Sequence, residues 1–183
     1  MKTAAIFHGR NCSPDMFWYG YADKVLTDQG YKVWRPQLPN TRAARREEWV
    51  PFIKENFKFT SESVLVGTSA SCAAVLEVVE GLSEPIAKVI LVAGFARPIG
   101  NETSHPTLKS SYDWEKIKKN AKEFYFINSD DDPYGAGEEE GRYLFSKLGG
   151  TCILCHGQGH FGTIKLKQEY PEFPLLKRLL TDA

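Results

Sequence analysis

The chain has 183 residues, 42% of them hydrophobic, and its 23 basic residues are balanced by 23 acidic ones. That length suits one compact domain over residues 1–183 with a substantial core. The even charge argues against nucleic acid or an anionic membrane as the main partner, because the one basic cluster, Arg42, Arg45 and Arg46, runs straight into Glu47 and Glu48 as on a solvated helix face.

The apolar part of the N-terminal stretch is too short for a secretory signal, and no stretch approaches a membrane span. The four cysteines therefore read as reduced thiols of a cytoplasmic protein. Cys152 and Cys155 have Cys-x-x-Cys spacing but fall in a predicted strand, where an offset of three points them to opposite faces. No second ligand pair accompanies them, so no metal and no organic cofactor is expected.

Residues 3–7 read as a first strand, ending at His8-Gly9-Arg10-Asn11. Residues 20–30 carry a helical pattern closed by Gly30. A second strand over 31–35 meets Pro36, and 45–57 is helical with Trp49, Phe52, Ile53 and Phe57 on one stripe. Pro51 in that stripe predicts a kink or a later helix start. Further strands are expected at 64–66, 87–95, 123–128 and 151–156, and helices at 114–121, 138–148 and 172–180. Residues 97–111, rich in Pro, Gly, Ser and Thr, read as loop. Strands alternating with helices imply a three-layer α/β/α domain around a six-stranded, mostly parallel sheet.

The central stretch is 63–82. Val64-Leu65-Val66 suits a strand buried on both faces, and Val75, Leu76, Val78, Val79 and Leu82 fit one face of a helix. Only Gly67-Thr68-Ser69-Ala70-Ser71 lie between, so strand turns into helix almost without a loop. That is the geometry of a nucleophile elbow with Ser69 at its tip. The same junction also fits a helix whose N-terminus is simply capped by serine. Ser71 stands where the usual Gly-x-Ser-x-Gly has glycine, which predicts a wider elbow or a shifted helix.

A hydrolytic serine needs a base, and the base an orienting carboxylate. After the fifth strand comes Asp130-Asp131-Asp132-Pro133, and after the sixth Gly159-His160-Phe161. Ser69, one of those aspartates and His160 thus follow in the order Ser…Asp…His, each at the end of a strand where open α/β sheets bind ligands. The loop at Gly9-Arg10 occupies the place of an oxyanion loop. Taken singly, aspartates before proline do turn work, His8 can simply end its strand, and His105 and His156 have no evident task. The conjunction at four topological positions points to catalysis.

With these features the chain resembles the small, lidless α/β-hydrolase-like serine hydrolases of the retinoblastoma-binding-protein-nine type, which have bacterial relatives. The likeness spans nearly the whole chain through Trp18-Tyr19-Gly20, Trp49 with Pro51-Phe52, Gly67-Thr68-Ser69, Trp114-Glu115-Lys116-Ile117-Lys118, Asp131-Asp132-Pro133 and Gly159-His160-Phe161. It implies strand order 2-1-3-4-5-6, no large lid, and Asp132, just before the proline, as the catalytic aspartate. The first loop, Arg10-Asn11-Cys12-Ser13, departs from the family's glycine-rich form, and Thr68 and Ser71 depart at the elbow. The family's Leu-x-Cys-x-Glu signature is absent, so a retinoblastoma-type partner is not expected.

The expected activity is hydrolysis of a small carboxylic ester or amide through an acyl-enzyme. Ser69 is the nucleophile, His160 the base and Asp132 its orienter, with backbone N–H groups of Arg10 and Ala70 as the oxyanion hole. Phe17, Trp18, Phe95, Tyr134 and Phe161 are candidates for an apolar substrate pocket. The alternative is a catalytically silent binding protein on the same fold. Phosphate binding is disfavoured, since no Gly-Lys-Ser/Thr or Gly-x-Gly-x-x-Gly sequence occurs.

Overall fold

A computed structural model of the chain describes residues 1–181. The strands are β1 (Thr3–Phe7), β2 (Lys32–Trp34), β3 (Val64–Thr68), β4 (Ile86–Val92), β5 (Ala121–Ser129) and β6 (Thr151–Cys155). Between and after them lie α1 (Tyr19–Asp28), α2 (Arg46–Asn56), α3 (Ala70–Glu80), α4 (Trp114–Lys119), α5 (Glu138–Leu148) and α6 (Pro174–Thr181). The sheet has the order β2-β1-β3-β4-β5-β6, and every pairing is parallel.

Burial follows the strand order. Every residue of β1 and β3 is buried, whereas the edge strands β2 and β6 hold half-buried and exposed residues. The sheet grows one way from β1 to β2 and the other way from β3 onward. Right-handed crossovers therefore send α1 to one face and α2 to α5 to the other. Contacts agree: α2, α3, α4 and α5 form a continuous row, while α1 lies on β1 and β2 and packs against α6. The reversal opens a crevice beyond the carboxyl ends of β1 and β3, where such sheets bind ligands.

Element boundaries differ little from the sequence reading. The fourth strand stops at Val92 rather than running to 95, because Ala93 has φ 46°. Pro51 neither starts nor ends α2 but lies inside it, with Trp49 and Ile53 buried on the core face. The buried amine of Lys88 donates to the Leu179 carbonyl at 2.7 Å, so a cation sits at the C-terminal end of α6. No helix among the described residues is long and apolar enough to cross a membrane.

One close contact governs the centre. A Cβ at Gly67 would lie 3.2 Å from both Cys72 Cα and Val75 Cγ2. The start of α3 is thus pressed onto β3, and Ser71 neither widens the junction nor displaces the helix. Gly67→Val should overpack this contact and cost at least about 2 kcal/mol, read as a lower urea midpoint at unchanged slope.

Candidate active site

Ser69 joins β3 to α3 with φ 55° and ψ −124°, a conformation L-residues avoid. Such strain costs on the order of 1–3 kcal/mol and persists only where the surroundings enforce it. They do so on both sides. The Ser69 N–H continues the sheet by donating to Val92 O at 2.9 Å. The buried Ser71 hydroxyl accepts from Thr68 N–H at 2.9 Å and sits 2.9 Å from Phe7 O and 3.0 Å from Thr68 O, with one proton to donate between them. Ser71 therefore fastens the elbow to the end of β1. The Ser69 side chain makes no cap bond to α3, so helix capping does not account for a serine here.

The loop after β1 runs directly alongside. A Cβ at Gly9 would lie 3.3 Å from Ser69 Cβ and 3.8 Å from its Oγ, which only glycine allows without displacement. Three ties hold this loop to the segment after β2. His8, buried at the end of β1, donates from Nδ1 to Gly9 O at 2.9 Å and accepts at Nε2 from Leu38 N–H at 3.0 Å and the Gln37 amide at 3.2 Å. Asn11 N–H donates to Thr41 O, and Arg10 Nε donates to Arg42 O. His8 is thus a structural clamp, and burial lowers its pKa, consistent with a ring that must stay neutral to accept at Nε2.

The three consecutive aspartates after β5 each engage a different part of the loop after β6. Asp130 accepts from Gly157 N–H at 2.9 Å and pairs with exposed His156 at 2.6 Å. Those contacts lower the Asp130 pKa, the Gly157 bond first, and raise that of His156. Asp131 accepts from Ser129 Oγ at 2.6 Å and Gly159 N–H at 2.7 Å, which lowers its pKa as well. Asp132 lies 2.6 Å from His160 Nδ1, and its side chain is fully enclosed. Its other oxygen accepts from Tyr134 N–H at 2.8 Å. With the carboxylate on Nδ1, that nitrogen carries the proton and Nε2 is left as acceptor.

Ser69 and His160 line one half-open cavity of about 890 Å³, together with Gly9, Arg10, Ala70 and Tyr19. Neither Arg10 N–H nor Ala70 N–H donates a hydrogen bond among the described residues. The Tyr19 phenol is wholly buried beside Gly9 and Thr68, and desolvation pushes its ionisation far up. Cys12 also lines the cavity, but burial pushes its thiol up to about 11, so it stays protonated at neutral pH.

Of the five aromatic pocket candidates, Phe95 and Tyr134 line the cavity. The other three stand outside its lining. Trp18 and Phe161 are core residues, 0% and 1% exposed, and Trp18 Nε1 donates to Phe161 O at 3.0 Å. Phe17, with φ 51°, packs against the Tyr19 ring and against Gly162. Local spacing brings a residue to the correct end of the sheet but does not decide which way its ring turns. Ile99, Glu102, His105, Ile164 and Lys165 are among the further wall residues; they come from loops without period and carried no signal in the sequence. Gln168 was equally silent. Its amide accepts from Gly162 N–H at 3.0 Å and donates to Gln158 O at 2.8 Å, bridging both flanks of His160.

The four cysteines are free thiols, and no group of three or more potential metal ligands occurs among the described residues.

No family model matches the chain. It is 24% identical over 169 residues to serine hydrolase RBBP9 of Rattus norvegicus, covering 91% of this chain and 88% of that protein. It is 29% identical to the Bacillus subtilis protein YdeN, named as a hydrolase, covering 98% and 95% of the two chains. The crystal structure of the ydeN gene product superposes with a TM-score of 0.88 at 24% identity, over 100% of this chain and 98% of that one. Est1E of Butyrivibrio proteoclasticus with ferulic acid bound shares the fold at a TM-score of 0.70 and 12% identity, over 100% and 87%.

The His8 clamp has a pH consequence. Its folded pKa lies below the ordinary value near 6.5, so the unfolded chain takes up that proton first as the pH falls. The His8 contribution is complete above about pH 6.5 and is lost progressively below it. Urea midpoints measured from pH 8 to 5 should fall more steeply for the wild type than for His8→Gln; parallel curves would refute the clamp.

Proposed function

We propose that this relative of RBBP9 and YdeN, a small hydrolase of the α/β-hydrolase fold, cleaves a carboxylic ester or amide of a small molecule through an acyl-enzyme formed on Ser69. One observation carries the reading. A strained serine with an uncapped side chain shares a cavity with a histidine whose Nδ1 is held 2.6 Å from an enclosed carboxylate.

In this mechanism His160 Nε2 takes the Ser69 proton as Oγ attacks the substrate carbonyl carbon. The C–O or C–N bond to the leaving group breaks, and His160 returns the proton to it. A water then attacks the acyl-enzyme, with His160 again as base, releasing the acid and restoring Ser69. Asp132 holds the imidazole in its tautomer and stabilises the positive charge that each attack creates. The N–H groups of Arg10 and Ala70 stabilise the oxyanion, each worth about a hundred- to a thousandfold in rate. Gly9 serves this step by letting the Arg10 backbone approach Ser69. Of the two departures that favour a silent binding protein, Ser71 and the altered first loop at Arg10-Ser13, the first loses force, because Ser71 fastens the elbow in place.

A fluorophosphonate probe should label the folded wild type and leave Ser69→Ala unlabelled. On a panel of short acyl esters, Ser69→Ala and His160→Ala should lower kcat by at least about a thousandfold, and Asp132→Asn by about 10³–10⁴. Gly9→Ala, whose new Cβ crowds Ser69, should lower kcat in an otherwise folded protein. Equal labelling of wild type and Ser69→Ala would overturn the assignment.

A further inference from the structure

We propose that Tyr134 and Thr163 are positioning residues that hold the His160 imidazole on Asp132, through a hydrogen bond that closes two loops over the pair. The proposal rests on His160 acting as the base for Ser69. The Tyr134 hydroxyl lies 2.6 Å from Thr163 Oγ1. Tyr134 stands two residues after Asp132, and Thr163 three after His160. The acid-bearing and base-bearing loops are therefore joined by two rungs of equal length, His160–Asp132 and Thr163–Tyr134.

The imidazole lies between the rungs. The Tyr134 ring meets it edge-on, with centroids 4.7 Å apart and planes at 70°, while the Tyr134 N–H donates to the second oxygen of Asp132. One tyrosine thus contacts both members of the pair and anchors itself beyond them. Thr163 is itself fixed, because its N–H and C=O pair with Gln168 at 3.0 and 2.9 Å.

The base loop has reason to need this second hold. Gly159, Phe161 and Gly162 all have positive φ, and the glycines on either side of His160 leave the backbone permissive. A ring held only through Nδ1 can still swing about that bond and carry Nε2 away from Ser69. A displacement of about 1 Å at a reacting group can cost about a hundredfold. The Tyr134 ring blocks that swing, and the Thr163 bond keeps the ring in place.

The test uses Tyr134→Phe, Thr163→Val, their double variant and Thr163→Ser, all mild changes that preserve volume or hydroxyl. Tyr134→Phe and Thr163→Val should each lower kcat about tenfold, a part of the 10²–10⁴ that general-base catalysis supplies, with KM within about twofold. The double variant should be no worse than either single change, and Thr163→Ser should keep wild-type kcat. Proton NMR provides a readout independent of turnover. The downfield His160 Nδ1–H resonance should be sharp in wild type and Thr163→Ser but broadened by solvent exchange in Tyr134→Phe and Thr163→Val. Wild-type kcat and resonance in those two variants would overturn the proposal, as would a rise in KM alone, which would make Tyr134 only a pocket wall. If the fluorophosphonate fails to label Ser69 while the resonances respond as stated, the hydrolase mechanism falls and the clamp stands.

Discussion

The contact of Gly67 with the first turn of α3 leaves no space for a connecting loop. With Cys72 Cα 3.2 Å from where a side chain would begin, the chain must leave the sheet and enter the helix within one residue. Ser69 is that residue, and its φ of 55° is the conformational cost. Two bonds keep it there: one to Val92 extends the sheet, and the buried Ser71 hydroxyl ties the elbow to Phe7. The strain is thus held by the buried ends of the two strands that flank β3, Phe7 of β1 and Val92 of β4, where local yielding is expensive.

The other components of the site lie on loops, which are ordinarily the mobile part of an α/β domain. Here each loop is fastened to a neighbour by short polar contacts. His8, Arg10 and Asn11 join the first loop to the segment at 37–42. Asp130, Asp131 and Asp132 join the fifth-strand loop to the sixth. Gln168 and Trp18 hold the loop that carries His160 through bonds to the carbonyls of Gln158 and Phe161. Catalytic geometry requires positioning to within a fraction of an ångström. The proposed mechanism would draw that precision from the hydrogen bonds among these loops, because the sheet can fix only the loops' starting points.

Much of this was legible in the residues because it follows from periodicity and chain order. The buried apolar run at 64–66, the run read over 87–95 that the structure ends at Val92, the abrupt small-residue junction at 67–71, and the Ser…Asp…His succession each reflect one local rule. The parallel order of the strands follows from the βα alternation combined with the resemblance. What stayed hidden depends on side-chain direction across long sequence separations. Nothing local distinguishes His8, which closes a clamp with Leu38, from a histidine that merely ends a strand. Phe161 follows His160 directly yet turns into the core against Phe173, while Tyr134 turns toward the cavity. Ser71 looked like a missing glycine and proved to be a tether, since a hydroxyl can fill the same small space while satisfying backbone groups around it.

The run Asp130-Asp131-Asp132 works like the teeth of a ratchet. Each successive carboxylate engages a point farther along the opposing loop, from Gly157 through Gly159 to His160. Slipping either loop by one position would misplace all three contacts together, so the alignment of the two segments is encoded redundantly. Surface turns commonly absorb length variation; this pair of turns has forfeited that freedom, since a residue added within 130–132 or 157–160 would break the alignment, whereas one added at the turn between α5 and β6 would leave it untouched.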